Sequence, residues 1–276
     1  MKDLAGRAVL VTGASSGIGW ETALAFARQG CRVGLAARRA QRLEELARLI
    51  REAGGQAEAF PCDLGRPAEA RAVVERAAEA FGRLDVLINN AGLLELGAFE
   101  RQDMERFEAL MRVNLLGAAY AVHAAIPHMR RRGEGHIVNV SSIAGLFGMP
   151  YMAAYCASKF ALVGFTESLR RELYDSGIRL TAFCPGSVDT PMVADLLADP
   201  LLAKRVRAKS PRRIADKIVW SVRTGAPEVV IGEAPGFLLT LSRLFTRAAD
   251  WATHHVARRV HPVARRERAR RAGPTS

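Results

Sequence analysis

The sequence predicts an α/β fold, a single domain built on a doubly wound parallel sheet of about seven strands with helices on both faces. Three observations carry that prediction. Apolar, strand-like runs alternate with segments of helical periodicity, and the connections between them are short. A glycine-rich turn stands directly between the first run and the first helical segment. The chain has 276 residues and no internal repeat, which is enough to bury one large core. In order, the strand candidates are residues 8–12, 32–37, 57–61, 86–88, 135–140, 179–184 and 228–231. Apolar residues recurring at the helical period mark 17–29, 41–53, 67–81, 102–131 and 153–176 as helices. The fourth is too long for one ordinary helix, and a break is expected near Val113.

Residues 1–232 account for this domain. Within it, 187–213 is polar and punctuated by proline, the character of a lid over a binding site. Residues 233–262 read as an amphipathic helical extension. Phe237, Leu238, Leu241, Leu244, Phe245, Ala248, Trp251, Ala252 and Val256 make one apolar stripe between 236 and 259. Residues 263–276 are basic, have no apolar face, and are expected to be disordered.

Composition narrows the class. Apolar residues make up 49% of the chain, yet no unbroken run reaches the roughly eighteen of a membrane span. The first strand begins within a few residues of Met1, so no signal peptide is expected. Cys31, Cys62, Cys156 and Cys184 lack metal-ligand spacing and read as reduced, buried thiols of a cytoplasmic protein. No histidine is placed like a metal ligand, the adjacent His254 and His255 falling on different helix faces. The net charge is +12, but residues 236–276 hold nine arginines against Asp250 and Glu267, or +7 of that total. With no stacking platform or zinc knuckle, nucleic-acid binding is the weakest reading of this charge.

Two motifs carry chemistry. Gly13, Gly17 and Gly19 follow the first strand in the spacing G-x-x-x-G-x-G and open the first helix. Such a turn lets a ligand approach the backbone, and the helix start points free N–H groups and its positive dipole end at a phosphate. Tyr155 and Lys159 lie four residues apart on one helix face, thirteen residues beyond Ser142. An ammonium beside a phenol is expected to lower the phenol's pKa and make it a usable proton donor and acceptor.

With these motifs on this strand order, residues 5–232 resemble the short-chain dehydrogenase/reductase family, which implies a Rossmann-like fold. Thr12-Gly13-Ala14-Ser15-Ser16-Gly17-Ile18-Gly19 matches that family's cofactor turn, and Asn89-Asn90-Ala91-Gly92 its NNAG stretch along the cofactor. Asn114, Ser142, Tyr155 and Lys159 match its catalytic four in order and spacing. Pro185, Gly186, Val188 and Thr190 fall in the stretch flanking the nicotinamide, and Asp63 and Leu64 at the adenine. The resemblance implies hydride transfer between a nicotinamide and a carbonyl carbon, with Tyr155 moving the proton and Ser142 holding the oxygen. It further implies that Lys159 tunes Tyr155 and binds the ribose, that Asn114 holds a water linking Lys159 to solvent, and that the protein is a homodimer or homotetramer.

Cofactor choice is read from Ala36-Ala37-Arg38-Arg39 at the end of the second strand. An NAD site wants a carboxylate here, whereas a 2′-phosphate wants arginine. Ala37 stands where the carboxylate would be and Arg38 follows, so NADP(H) is expected over NAD(H), with Ser15, Ser16 and Arg39 nearby. Leu93, Leu94, Leu146, Phe147, Met149, Met152, Met192 and Val193 flank the motifs and suggest an apolar alcohol or ketone of steroid, retinoid or fatty-acyl type. A non-catalytic NADP-binding sensor on the same fold remains the alternative. For the C-terminal stripe, packing on the domain or another subunit stands beside contact with the inner membrane surface.

Overall fold

Seven parallel strands form one sheet in the order β3-β2-β1-β4-β5-β6-β7. They are β1 (Ala8–Thr12), β2 (Arg32–Ala37), β3 (Gln56–Pro61), β4 (Val86–Asn89), β5 (Gly135–Val140), β6 (Ile178–Pro185) and β7 (Glu228–Ile231). The structure is a computed structural model and describes residues 1–203, 207–232 and 245–265. Chain order reverses between β1 and β4, which opens a crevice at the carboxyl ends of the central strands.

Alternation along the strands decides which helix each face meets. Val9 and Val11 of β1, Val86 and Ile88 of β4, and Val138 and Val140 of β5 share one core with α1 (Gly17–Ala27), α2 (Ala40–Glu52) and α9 (Pro211–Thr224). Leu10, Leu87 and Ile137, one residue out of step, share the other with α3 (Pro67–Phe81), α5 (Ala118–Arg132) and α6 (Ala153–Glu172). Both faces of each central strand are therefore buried, as a parallel sheet requires. At the amino end of the sheet, Asp85 accepts from Ala8 N at 2.8 Å and Arg83 Nε at 2.6 Å. Burial works against that carboxylate, but these bonds and the Arg7 pair hold it below the usual carboxylate range.

Three elements depart from the sequence reading. The long fourth helix does not break at Val113. It runs from α4 (Met104–Met111) through a π-helical stretch, Arg112–Gly117, into α5. At Gly117, the last residue of that stretch, an added Cβ would lie 2.5 Å from Leu64 O, so the helix is pressed onto backbone there. This run, Met104–Arg132, is long and apolar enough to cross a bilayer by length and composition, which a search for unbroken apolar residues passes over. Its Ala121, Val122, Ala125 and Met129 are core residues instead.

Helix α9 is a further element, and its first residues overlap the stretch expected as a lid. It begins at Pro211, with Ser210 Oγ accepting from Arg213 N at 3.3 Å, so the lid candidate ends at Ser210 and not Arg213. The 187–210 stretch holds the short helices α7 (Ala194–Leu197) and α8 (Pro200–Ala203). Its two ends are tied where Lys209 N donates to Ser187 O and Asp189 N to Lys209 O.

Of the apolar stripe, residues 237–244 lie outside the described residues. The C-terminal helix Thr246–Val260 leaves Phe245, Trp251 and Val256 exposed, while Ala249, Thr253 and His254 line a shallow cleft with Leu146, Phe147 and Phe160. Residues 262–265 continue in helical conformation with Ala264 buried, so 263–265 of the expected disordered tail are ordered, and 266–276 lie outside the described residues. All four cysteines are free and buried.

His136 on β5 gives the fold a pH dependence. It is buried against Thr181 Oγ1 at 2.8 Å, and burial pushes its pKa down to about 3. The unfolded chain binds a proton below the ordinary histidine pKa while the folded one does not, so this contribution to stability is lost as pH falls below about 6.5. Urea unfolding between pH 6.5 and 5 is expected to lose up to about 1.4 kcal/mol per pH unit from this residue. His136→Gln should remove that part of the slope, and an unchanged slope in the variant contradicts the assignment.

Candidate active site

The crevice is lined from its floor by backbone. Gly13 has φ +67°, and an added Cβ would sit 2.8 Å from Ala91 Cα and from Asn90 Nδ2. Gly17 has φ +56°, with its missing Cβ 2.9 Å from Thr190 Cγ2. Gly19 lies under the turn, where a Cβ would strike Gly13 O, and does not itself face the cleft. The glycines therefore bring the first turn against the segment after β4 on one side and Thr190 in the 187–210 stretch on the other. Ser16, the first residue before α1, makes no side-chain cap, so the leading amides of that helix point into the cleft without one.

Thr12 joins the two central strands. Its hydroxyl donates to Ile88 O at 3.2 Å and accepts from Asn90 N at 3.0 Å and Ala91 N at 3.2 Å. Asn90 Nδ2 returns a bond to Thr12 O at 3.0 Å. One layer deeper, Asn89 donates to Asn139 and Asn139 to Thr166, both at 2.9 Å, which ties β4, β5 and α6 together.

On the far wall stand Ser142, Tyr155 and Lys159. Ser142 stands two residues beyond β5, its Oγ accepting from Ala144 N at 3.1 Å and donating to Pro185 O at 3.4 Å. Lys159 is 4% exposed, with Nζ donating to Val140 O at 3.0 Å and lying 5.7 Å from the centroid of the Tyr155 ring. Burial pushes Lys159 down to about 8. Tyr155 departs from the expectation of a lowered pKa. Burial pushes it up to about 12, which outweighs the hydrogen bond from Ser142. Asn114 sits in the π-helical stretch, behind the cleft. Its Oδ1 accepts from Leu93 N at 2.7 Å, and its Nδ2 donates to Leu93 O at 3.0 Å and Ser158 Oγ at 2.9 Å. A Cβ on Gly92 would lie 3.4 Å from that Oδ1 and 3.5 Å from Lys159 Nζ, so Gly92 is where the two meet.

At the other end, Arg39 donates from Nε and Nη2 to Ser15 Oγ, at 3.1 and 2.8 Å, and from Nη2 to Ser16 Oγ at 2.8 Å. Arg38 lines the cleft beside it. The Asp63 carboxylate accepts from Gly65 N at 3.0 Å, closing its own turn while it and Leu64 face the cleft. Ile18, Pro185, Gly186 and Val188 complete the wall between the two ends, and Gly186 N donates to Ile231 O at 2.6 Å. The whole cleft encloses about 630 Å³.

The apolar residues sort into two groups. Leu93, Leu94, Met149, Met152, Met192 and Val193 do line the cleft. Leu146 and Phe147 do not, because the turn after Ser142 carries them to the shallow cleft under the C-terminal helix. The sequence reading missed Leu196, Lys209 and His261, all of which line the main cleft. The proximity of the last depends on a contact across 110 residues, which no local pattern signals.

Comparison with known proteins agrees with this geometry. Residues 7–201 match the family described as short chain dehydrogenase. The chain is 34% identical over 237 residues to the ketoacyl reductase HetN of Nostoc sp., covering 85% of this chain and 82% of that one. It is also 34% identical over 244 residues to 2-(S)-hydroxypropyl-CoM dehydrogenase 3 of Xanthobacter autotrophicus, covering 88% and 93%. Among solved structures, a short chain dehydrogenase from Burkholderia cenocepacia in complex with NADP superposes with a TM-score of 0.77 at 31% identity, covering 83% of this chain and 98% of that one.

Thr12→Val keeps the shape of the strand end and removes the shared acceptor of Asn90 and Ala91. Leaving those amides without it is expected to destabilise the fold by about 1–3 kcal/mol, read as a lower midpoint in urea. An unchanged midpoint would show that the seam is not held by this hydroxyl.

Proposed function

This chain belongs to the short-chain dehydrogenase family, and we propose that it works as an NADP(H)-dependent oxidoreductase interconverting an apolar alcohol and its ketone or aldehyde. The observation that carries the proposal is the convergence of Ser142, Tyr155 and Lys159 on one wall of a cleft whose floor is the glycine turn. The cleft fits a dinucleotide. Side chains are excluded at Gly13 and Gly17, and the start of α1 offers amides to a pyrophosphate. Arg39, held flat by Ser15 and Ser16, and Arg38 beside it suit a 2′-phosphate, a preference to which the NADP in the Burkholderia cenocepacia structure lends support.

The bound nicotinamide supplies or takes up a hydride at the substrate carbon. The protein's part is to hold the oxygen and move its proton. Ser142 donates to the substrate oxygen and fixes it. Tyr155, kept protonated at neutral pH by its burial, donates to that oxygen as negative charge develops on it. Lys159 stands beside the phenol, where it would bind the ribose hydroxyls of the cofactor, and Asn114 steadies the segment after β4 against α6, on the side along which a water-linked path would return the proton. Leu93, Leu94, Met149, Met152, Met192 and Val193 supply an apolar wall for the substrate. The exposed Phe99, Met104 and Leu116 around α4 support self-association through that side.

Two variants test the reading. Tyr155→Phe is expected to lose turnover by at least about a hundredfold while NADPH affinity stays within about twofold of wild type. Equal turnover in the variant would leave the protein a binding module. Arg38→Asp is expected to lose about 1.5–3 kcal/mol of NADPH affinity in fluorescence titration. Unchanged affinity, together with equal binding of NADH, contradicts the NADP(H) preference.

A further inference from the structure

The chain beyond the C-terminal helix returns to the mouth of the cleft. The His261 ring stacks on Tyr151, with 5.0 Å between centroids and 26° between planes. Tyr151 has φ 66°, the one described non-glycine residue in the left-handed region, and its carbonyl accepts from Gly97 N at 2.9 Å. Such backbone strain persists only where surrounding contacts over-determine it, and it clusters at ligand clamps. Three residues on, Ala264 is 2% exposed, and Arg265 forms an ion pair with Asp199, which lies between α7 and α8 of the lid candidate. The segment is thus fixed at three points, one of them on the stretch that borders the substrate side.

The chemistry His261 brings differs from that of the wall it joins. Leu93, Leu94, Met149, Met152, Met192 and Leu196 offer no hydrogen bond, whereas His261 lines the same space with an imidazole. Its Nδ1 accepts from Val263 N at 3.3 Å, which puts the proton of the neutral ring on Nε2. Burial, helped by the Arg265 charge, holds its pKa below the usual histidine value, so the ring is neutral at pH 7. It therefore presents a donor without a charge.

We propose that His261 is a substrate-binding residue, and that the substrate is an apolar ketone or alcohol carrying a hydrogen-bond acceptor, such as a keto, ester or ether oxygen, at a position other than its reacting oxygen. The proposal rests on the oxidoreductase reading, since Tyr155 and Ser142 are taken to hold the reacting oxygen. A donor aimed at such an acceptor discriminates strongly against an analogue that lacks it, because the donor is then left unpaired.

The test compares 2-alkanones with methyl keto-esters of matching chain length, using the full-length protein and NADPH. The wild type is expected to favour the keto-ester in kcat/KM by about tenfold or more at the chain length that reaches His261. His261→Phe keeps a ring on Tyr151 and removes the donor, so the ratio should fall close to one. His261→Gln keeps an N–H donor and should retain most of the preference, which a purely structural role for the ring would not produce. NADPH titration of each variant reports whether it is folded. A wild type that reduces both members of every pair equally, or a folded Phe variant with the preference intact, overturns the proposal and leaves the reductase reading standing. A wild type that binds no nicotinamide cofactor overturns both.

Discussion

One hydroxyl at the end of the first strand holds the centre of the site in register. Thr12 Oγ1 bonds to Ile88, Asn90 and Ala91, and so clamps the carboxyl ends of β1 and β4 at the point where strand order reverses. Every wall of the cleft is set relative to that seam. Gly13 approaches Ala91 within a distance that forbids a side chain, and Gly92 follows directly between Asn114 and Lys159. The layer beneath, Asn89 to Asn139 to Thr166, carries the same alignment across to α6 and its Tyr155. A parallel sheet offers a crevice at its switch point as a matter of topology. These side chains make that crevice a site of fixed dimensions.

Burial then decides the protonation of the reactive groups. A tyrosine and a lysine four residues apart suggest a phenol made acidic by its neighbour, but the lysine directs its Nζ at Val140 O and both groups are withdrawn from water. Desolvation disfavours charge on either one, so it raises the phenol and lowers the ammonium. Burial thus biases both Tyr155 and Lys159 toward their neutral forms.

Much of this is legible in the amino-acid sequence. Strands β1, β2, β5 and β7 stand where their apolar runs end, and the others differ by a residue or so at an edge. The glycine spacing and the tyrosine–lysine pair needed only local geometry, and all their members but Gly19 face the cleft. What escaped depended on distant contacts or on masking by a neighbour. Gly117, at the end of the π-helical stretch, packs on the backbone of Leu64, some fifty residues away. Helix α9 carries a clear apolar face at Ile214, Ile218 and Val222, but its proline and basic first turn looked like more of the lid. The segment at 261–265 has no apolar periodicity, and its place is settled by Tyr151 and Asp199. The same long-range contact brings the His261 imidazole beside the apolar side chains Leu93, Leu94, Met149 and Met152.

Deuterium labelling tests hydride transfer within this cleft directly. NADPH carrying deuterium at both positions of the nicotinamide C4 is mixed with the wild-type protein and an apolar ketone, and the product alcohol is weighed by mass spectrometry. Deuterium on the carbinol carbon in the wild type, with no product from the Tyr155→Phe variant, is the predicted result. Tight NADPH binding with no labelled alcohol from any of a broad range of ketones and aldehydes would contradict it, and would make the cleft a nucleotide-sensing site.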